Sequence, residues 1–561
     1  MDLKSKPFYL KEEQVQWVES TLANMTLEEK IGQLFCPIGY STEPSYLEHE
    51  LLRYHIGGMF FRDGLSTEMR DTFLYAQQHS KIPLLIPSNL EAGGNGAAID
   101  GTPFGKQMSI AAAGDKVHAY RLGKIACSEA ASLGINWAFA PVVDIDRNYH
   151  NPITNIRTYG NDPKVVVENA KEYIRAAKSC NVATAVKHFP GDGMDERDQH
   201  LLTSVNNLNC QEWDETFGYV YREMIDADTL TVMAGHIALP AYEEFYCPEN
   251  ADKIVPATLS KALLQNLLRE QLGFNGLIIT DATPMVGFTS AMPRHLSVPL
   301  AIESGCDMFL FNKDLGEDYQ FMMDGYKNGI LSAQRLDDAN KRILALKAAL
   351  GLPEKQKKNQ LIPQEQAMDV IRCPEHMQWS KELADWSITL VKDTQNALPL
   401  SAKKTKRLLL EILGDFPSNE RVLGKVKTEM EKRGFEVSVY EKENFDMGVD
   451  NVGSFLKKYD AVLYIGNVEN ASNYTTSRLN WYTFWGQGNN VPWFACEVPV
   501  VFASVANPYH LLDVPMLKTY INCYSNHDVM LEALVAKLTG ESDFKGKSPI
   551  DPFCGRKELA Y

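Results

Sequence analysis

The sequence predicts an α/β protein in which a (β/α)8 TIM-like barrel is followed by a second, smaller α/β domain. Three observations lead to this fold class. At 561 residues the chain is too long for one ordinary domain. Over residues 1–315, short apolar runs alternate with helical segments, which is typical of a parallel sheet buried on both faces. After residue 350 the composition changes, and a new series of strand-like and helical segments follows.

Eight apolar runs are the candidate barrel strands. Eight strand–helix units in a segment of this length favour a (β/α)8 barrel over residues 1–350. Helix signals between the runs support the count: Thr26–Glu29 has the pattern of a capping box, and the amphipathic segment Thr258–Gln271 stops just before Gly273. The runs are Ile31–Ile38, Ile56–Phe61, Leu84–Asn89, Ile135–Asp144, Ala183–Phe189, Leu230–His236, Leu277–Asp281 and Met308–Phe311.

A different pattern begins after the barrel. Residues 351–375 contain Leu-Pro and Ile-Pro pairs around a Lys/Gln-rich run, which predicts a linker. A helix is expected at Trp379–Val391, and helical stretches separate several of the strand-like runs that follow. Residues 376–561 are therefore predicted to form a second α/β domain with an open sheet. Its expected strands are Leu408–Leu413, Glu436–Tyr440, Ala461–Ile465, Val500–Val505 and Thr519–Cys523.

Composition excludes several classes of protein. The chain is 45% hydrophobic and 23% charged, as expected of a globular protein and not of a disordered one. Its 56 basic and 72 acidic residues give a net charge of −16, and no Lys/Arg stripe extends beyond Lys403–Arg407, so no nucleic-acid partner is expected. No apolar stretch reaches about 18 residues, so no membrane span is expected.

Cysteine usage predicts the compartment. The ten cysteines are scattered without a CxxC pair, and residues 1–10 lack the apolar run of a signal peptide. Both features indicate a cytoplasmic protein with buried thiols. The sequence leaves the oligomeric state open.

Polar side chains follow the ends of several predicted strands, which is where the chemistry of a barrel is placed. Asp281 is the sharpest signal, because it directly follows the apolar run Gly276–Thr280. A carboxylate there could also be a helix N-cap or half of a loop ion pair. The other strand ends favour a functional role, because unpartnered buried charges are costly. They carry Asn89, Glu91, Asp144, Asp146, Lys187, His188 and His236.

Asp198 and His200 form a second signal. A carboxylate close to a histidine can orient the ring and stabilise the imidazolium, which can then donate a proton to a leaving oxygen. The alternative is a charge-rich surface loop. A metal site is not expected, since the histidines lack metal-helix spacing and no third ligand follows locally.

Three further residues carry donors that suit sugar hydroxyls. Lys187 and His188 are adjacent at the end of the fifth predicted strand, and Arg157 offers a planar fork of donors. Each has a purely structural alternative. Lys187 and His188 could be satisfied within the barrel mouth, and Arg157 could pair with Asp144 or Asp146.

Together these motifs resemble family three glycoside hydrolases, and within them the bacterial β-N-acetylglucosaminidases of the NagZ type. The resemblance runs over nearly the full length, and the C-terminal half is similar to the α/β sandwich domain that many members carry. The segments that carry it are Met25–Leu34, Ala140–Asp144, Arg157–Gly160, Lys187–Gly193, Asp198–His200, Gly273–Asp281 and Glu303–Asp307.

The resemblance implies a role for each candidate residue. Asp281 would attack the anomeric carbon and form a covalent glycosyl-enzyme, and His200, held by Asp198, would be the acid/base. This is double displacement with retention, in which a histidine replaces the usual second carboxylate. The implied activity is an exo-acting β-N-acetylhexosaminidase that needs no cofactor. The residues expected to bind the sugar are Asn89, Glu91, Arg157, Lys187, His188 and His236.

The sequence departs from the family pattern in several places: one residue is extra before Gly93 and Gly94, the expected Arg is missing from Asn95–Asp100, and two positions differ in residue type. Asn89 stands where the family usually has an aspartate, and Asp192 stands where the signature has a second histidine. Replacing aspartate by asparagine removes a charged acceptor, and charge-assisted hydrogen bonds are the stronger ones. The sugar bound beside the scissile bond could therefore differ in its substituents, or Glu91 could supply the lost charge.

Two other functions stay open at this point. A β-glucosidase or β-xylosidase of the same fold would use a glutamate from the second domain, with Glu469 and Glu497 as candidates. A sugar-binding protein without catalysis is suggested by Asn89 and Asp192. The aromatic-rich segment Asn470–Trp493 could line the aglycone side or pack between domains. A histidine acid/base also places less negative charge beside the intermediate than a glutamate would, which would ease the approach of phosphate as an acceptor.

Overall fold

The computed structural model describes residues 1–62, 64–441, 451–481 and 490–561, together with the backbone of two short strands at 483–484 and 487–488. It divides into two compact units. Unit 1 contains residues 1–103, 119–148 and 162–376, and unit 2 contains residues 104–118, 149–161 and 377–561.

Unit 1 contains short strands buried in its core. In chain order they are β1 Phe35–Cys36, β2 Ile38–Gly39, β3 Phe60–Phe61, β4 Pro87–Ser88, β5 Trp137–Ala138, β6 Ala183–Phe189, β7 Ser204–Val205, β8 Thr231–Ala234, β9 Ile237–Ala238, β10 Leu277–Thr280 and β11 Phe309–Leu310. Side chains along β6, β8 and β10 are buried at every position, as expected of parallel strands covered on both faces.

The parallel pairs close into a barrel. One sheet has the strand order β10-β8-β6-β5-β4, and two smaller pairs join β1 with β11 and β2 with β3. The bridges Gly58–Leu85 and Ile279–Met308 connect these pieces into a ring of eight strand positions. The predicted barrel is confirmed. The extra strands β7 and β9 pair with each other outside the ring.

One predicted strand is wrong in its first half. Ile31–Gln33 lie in a helix that begins at Leu27 and ends at Gln33. Both bonds of the predicted capping box are present, since Glu29 N–H donates to Thr26 Oγ1 at 3.2 Å and Thr26 N–H donates to Glu29 Oε2 at 3.0 Å. The cap commits the following turns to helix, so the first barrel strand begins only at Phe35.

Helices alternate with the strands along the chain. They are α1 Glu12–Asn24, α2 Leu27–Gln33, α3 Pro44–Tyr46, α4 Ser66–Gln78, α5 Gln107–Ala113, α6 Val117–Ser132, α7 Pro163–Ser179, α8 Cys210–Glu215, α9 Phe217–Asp226, α10 Pro240–Tyr246, α11 Val286–Thr289, α12 Arg294–Ser304, α13 Leu315–Lys327, α14 Ala333–Ala349, α15 Leu352–Lys357, α16 Pro374–Ser387, α17 Asn419–Lys432, α18 Val452–Lys458 and α19 Asp528–Leu538. A π-helix at Ala262–Gln271 occupies the position of the helix expected before Gly273.

The segment expected to be a linker is ordered as part of unit 1. It contains α15 and a 3-10 helix at Glu365–Val370, and Leu352, Pro353 and Ile362 are buried. These side chains bury apolar surface, which fixes the segment in place. Residues 104–118 and 149–161, by contrast, belong to unit 2, where Met108 and Ile156 join the core around Tyr509.

Unit 2 is built on one mixed sheet. Its strands are β12 Thr389–Asp393, β13 Arg407–Leu413, β14 Glu436–Val439, β15 Ala461–Gly466, β16 Thr483–Phe484, β17 Gln487–Gly488, β18 Val500–Ser504 and β19 Thr519–Asn522. The sheet has the order β12-β19-β18-β15-β13-β14, and only the β12–β19 pair is antiparallel. Helices α17 and α19 cover one face through a core that includes Leu410, Val426 and Leu534. The other face buries a second core that includes Tyr464, Phe502 and Tyr520. The predicted second α/β domain is confirmed.

Among the described residues, no helix is long and apolar enough to span a bilayer. All ten cysteines fall within the described ranges, and none of them forms a disulfide. The cytoplasmic location stays a prediction. In the aromatic segment, Tyr482 and Trp485 lie outside the described residues, while Trp481 packs against Tyr464 within unit 2.

Candidate active site

Asp281 lies where β10 ends. Its backbone N–H donates to Ala234 O at 2.7 Å, which continues the ladder to β8, and its Oδ1 accepts from the Ala282 N–H at 2.7 Å. Only 9% of the residue is exposed. A short carboxylate on the last rung of a buried strand has little freedom, so its position is set by the barrel itself.

The environment of Asp281 keeps it ionised. Burial by itself would raise the pKa of this carboxyl. The attraction of His188, His236 and His200 and the Ala282 N–H outweigh burial, and the net pKa lies below its ordinary value. A buried, ionised carboxylate with a free oxygen edge can act as a nucleophile.

His188 is oriented toward Asp281 by a second carboxylate. Asp144 Oδ2 lies 2.7 Å from His188 Nδ1, and Asp144 Oδ1 accepts from the His188 backbone N–H at 3.0 Å. The opposite ring nitrogen, Nε2, then lies 3.9 Å from Asp281 Oδ2. Asp144 is fully buried. This pair therefore places a ring nitrogen beside the Asp281 carboxylate.

Asp198 and His200 form the predicted dyad. Asp198 Oδ1 lies 2.7 Å from His200 Nδ1 and also accepts from the His200 backbone N–H at 2.9 Å. The Asp198 side chain is fully buried, whereas 25% of the His200 side chain is exposed. A buried carboxylate that holds a partly exposed ring is the arrangement of a general acid/base.

The loop that carries the dyad is tied to the strand end that carries Asp281. Val286 N–H donates to His200 O at 3.0 Å, and Gly287 N–H donates to Gln199 O at 3.2 Å. Earlier in the loop, Gly193 has a φ of +99°, and a Cβ there would lie 2.1 Å from Ile145 O. Only glycine fits this close approach.

Gln199 is a buried residue of the candidate site that sequence reasoning missed. Its side chain is buried, with Nε2 donating to Asp192 Oδ2 at 3.3 Å and Oε1 accepting from the His236 N–H at 2.8 Å. It therefore joins the ends of β6 and β8 beneath the dyad. The only signal in the sequence is its position between Asp198 and His200.

Asp192 is an unusual acid within this network. Burial and the negative charge of Asp144 raise its pKa from 3.8 to about 7. The Gly193 N–H, which donates to Asp192 Oδ1 at 2.7 Å, opposes this shift only in part. Asp192 therefore titrates near neutral pH, close to His188.

His236 differs from its expected role in sugar binding. Nε2 lies 3.0 Å from Ala282 O and Nδ1 lies 3.0 Å from Thr258 Oγ1, so neither ring nitrogen is left for a sugar hydroxyl. Burial lowers its pKa to about 4, which keeps the ring neutral. Because Nε2 must donate to a carbonyl, His236 positions the residue that follows Asp281.

Two predicted sugar ligands form an ion pair. Lys187 Nζ lies 2.6 Å from Glu91 Oε1, which joins the ends of β6 and β4. Asn89 is exposed and lines a cavity of about 220 Å³ together with Arg62 and Asn95. Glu91 is therefore ion-paired with Lys187, whereas Asn89 lines this cavity.

The remaining candidates belong to unit 2. Arg157 ends a 3-10 turn, and its Nη1 donates to Ile153 O at 3.4 Å. Glu469 Oε1 accepts from Asn526 Nδ2 at 2.8 Å, and Glu497 is exposed. Their roles stay predictions. No group of three or more His, Cys, Asp or Glu side chains in the described ranges is arranged to hold a metal ion.

Sequence comparison identifies the family. The profile of the Glycosyl hydrolase family 3 N terminal domain matches residues 26–346. The chain belongs to glycosyl hydrolase family 3. The resemblance found in the sequence is confirmed, and the matched residues include the barrel that carries Asp281.

Full-length relatives of this family 3 chain carry different activities. A protein of Cellulomonas fimi described as β-N-acetylglucosaminidase/β-glucosidase is 42% identical over 99% of both chains. A solved structure described as β-glucoside phosphorylase BglX bound to 2FGlc is 42% identical, with a TM-score of 0.94 over 99% of both chains. A family 3 β-N-acetylglucosaminidase of Paenibacillus is 24% identical and covers 94% of this chain and 99% of its own, with a TM-score of 0.77, which supports the fold alone.

Proposed function

We propose that this family 3 enzyme cleaves terminal β-linked N-acetylglucosamine, and alternatively β-linked glucose, by an exo-acting double displacement with retention. One observation carries the proposal. A buried carboxylate whose pKa is lowered, Asp281, lies on the strand end whose following turn is hydrogen-bonded to the loop of the Asp198–His200 dyad. Nucleophile and acid/base are thus held by connected elements.

The chemistry follows from these groups. Ionised Asp281 attacks the anomeric carbon while protonated His200 donates its proton to the leaving glycosidic oxygen. The glycosyl–Asp281 ester then reacts with an acceptor whose proton passes to the neutral His200 ring. Asp198 remains ionised and holds the ring in one orientation. In this proposal, Lys187 and His188 bind hydroxyls of the same sugar.

Two substrates are proposed because a specific observation favours each. The dyad loop favours the N-acetylglucosaminide, since it resembles the hexosaminidase signature. Asn89 in place of a charged ligand favours a site that is less selective for the substituents of the sugar. The Cellulomonas fimi relative is named for both activities.

Phosphate is the proposed acceptor beside water. Two like unit charges about 4 Å apart repel by about 4 kcal/mol at an effective dielectric constant of about 20. A glutamate acid/base would impose such a repulsion on phosphate, whereas a histidine ring that has given up its proton carries none. The neighbour at 42% identity is described as a β-glucoside phosphorylase.

The test is release of nitrophenol from the β-nitrophenyl N-acetylglucosaminide and glucoside side by side, with and without phosphate. Asp281→Ala is the control. Turnover with formation of the β-sugar 1-phosphate, followed by phosphorus NMR, supports the whole proposal. Turnover that phosphate leaves unchanged restricts the enzyme to hydrolysis. Turnover of the glucoside alone that survives His200→Ala would move the acid/base to Glu469 or Glu497.

A further inference from the structure

A second cavity lies at the opposite end of the barrel from Asp281. It measures about 320 Å³, within the size range of small-molecule sites. Its walls include Ile135 and Asn136, which precede β5, and Asn181, which precedes β6. Residues that precede parallel strands lie at the amino end of a barrel, whereas Asp281 lies at the carboxyl end.

The walls of this cavity are apolar and positively charged. Apolar side chains such as Leu352, Leu361 and Ile362 alternate with the neutral amides of Gln360 and Gln364. The lining residues include one lysine and neither Asp nor Glu. The chain as a whole has a net charge of −16, whereas this lining carries a net positive charge.

Lys355 is the cation that lines the cavity. It lies on α15 and is half-buried, and burial lowers the pKa of its amine. Among the described residues, no hydrogen bond or ion pair satisfies its Nζ. A partly desolvated ammonium group without a partner is costly, and an anionic ligand would remove that cost.

Two further cations contact residues of the cavity wall. Lys124 Nζ lies 3.6 Å from Cys180 Sγ and 3.4 Å from Ser179 Oγ, both neutral partners. Arg70 Nη2 donates to Pro363 O at 3.0 Å, but Arg70 Nη1 lies 3.3 Å from Asp71 Oδ1, so this guanidinium is already ion-paired. Within the described ranges, the cations at this wall that have no carboxylate partner are therefore Lys355 and Lys124.

We propose that this cavity binds a small organic anion that has an apolar body and a carboxylate or phosphate head, with the head on Lys355. The apolar wall residues contact the body, and the amides of Gln360 and Gln364 hydrogen-bond polar atoms along it. The site is independent of the catalytic face, so the proposal does not rest on the reaction assigned to Asp281.

The test measures binding of two fluorescent probes, 1-naphthoate and 1-naphthyl phosphate, to the full chain. Lys355→Met removes the charge but keeps the length of the side chain, and it is expected to weaken binding by about tenfold or more. Lys357→Met is the matched control, because Lys357 is an exposed lysine of the same helix. The control variant is expected to bind like the unmodified protein. A naphthoate response alone identifies a carboxylate ligand, and a naphthyl phosphate response alone identifies a phosphate ligand.

Neutral 1-naphthamide separates charge recognition from apolar adsorption, and it is expected to bind about tenfold more weakly than naphthoate. Ala131→Phe, which fills the cavity from α6, gives a second variant and is expected to abolish binding. Circular dichroism verifies that each variant folds. Equal affinity in the Lys355→Met and Lys357→Met variants would overturn the proposal. So would the absence of saturable binding of both anions up to about 5 mM.

Discussion

Asp192→Asn should change how the stability of this protein depends on pH. In the folded chain, burial and the charge of Asp144 raise the pKa of Asp192 from 3.8 to about 7. Between these two pH values the folded state holds a proton that the unfolded chain has released. The free energy of unfolding therefore falls as pH rises through this window. Asparagine does not ionise, so the variant lacks this loss.

The size of the effect follows from the shift. A pKa difference of about three units, at about 1.4 kcal/mol per unit, corresponds to roughly 4 kcal/mol. Relative to the unmodified protein, the variant should gain up to this amount between about pH 4 and pH 7 and then level off. The altered hydrogen bond to Gln199 shifts the free energy of unfolding by an amount that does not depend on pH, because the glutamine amide does not titrate.

Urea unfolding followed by tryptophan fluorescence, repeated from about pH 4 to about pH 8, measures this difference. Subtracting the two profiles isolates the titration of Asp192 together with its effect on Asp144, His188 and Asp198, because the more distant groups titrate alike in both proteins. Parallel profiles would refute the reasoning, since they would mean that Asp192 ionises in the folded chain as readily as in the unfolded one.

Three further predictions concern turnover. Asp281→Ala should lower kcat by about 10⁴-fold or more while the circular dichroism spectrum stays unchanged, and normal turnover would disprove the nucleophile assignment. His200→Ala should slow the nitrophenyl glycoside by about 10² to 10⁴-fold and the dinitrophenyl glycoside far less, because the better leaving group needs no proton. Equal losses on the two glycosides would argue against a proton-transfer role. Gln199→Glu places a second carboxylate about 3.3 Å from Asp192 Oδ2. Its kcat/KM should be close to that of the unmodified protein at acid pH, where the two carboxylates share a proton, and should fall at higher pH as both ionise and repel. A pH profile identical to that of the unmodified protein would count against a role for the Gln199–Asp192 contact in turnover.

Much of the fold could be read from local patterns. Strand-like runs such as Ala183–Phe189 coincide with an observed strand end to end. Such runs are local properties of the chain, and burial on both faces requires them. The error at Ile31–Gln33 is of the same kind, since the apolar spacing there suits a helix as well as a strand and the capping box decided the outcome. The segment 351–375 was harder, because its Pro and Lys content predicts a linker, whereas only the burial of Leu352, Pro353 and Ile362 holds it in place.

The candidate site likewise contains residues that the sequence predicts and residues that only the tertiary contacts reveal. Asp281, Asp198 and His200 were accessible to sequence reasoning because each belongs to a short contiguous motif. Gln199 and the orientation of His236 were not, because their meaning lies in contacts between different strand ends. His236 changes from an expected sugar ligand to a support for Ala282 once both of its ring nitrogens are seen to be engaged.

The sequence by itself determined the family, the barrel and the positions of the ionisable residues at the strand ends, since these depend on periodicity and short motifs. Only the tertiary structure decided which charges meet. Asp144 holds His188 across 44 residues of sequence, and Lys187 pairs with Glu91 from another strand. Such pairings depend on the register of the closed barrel, which decides which residues of different strands become neighbours. Local composition does not reveal this register.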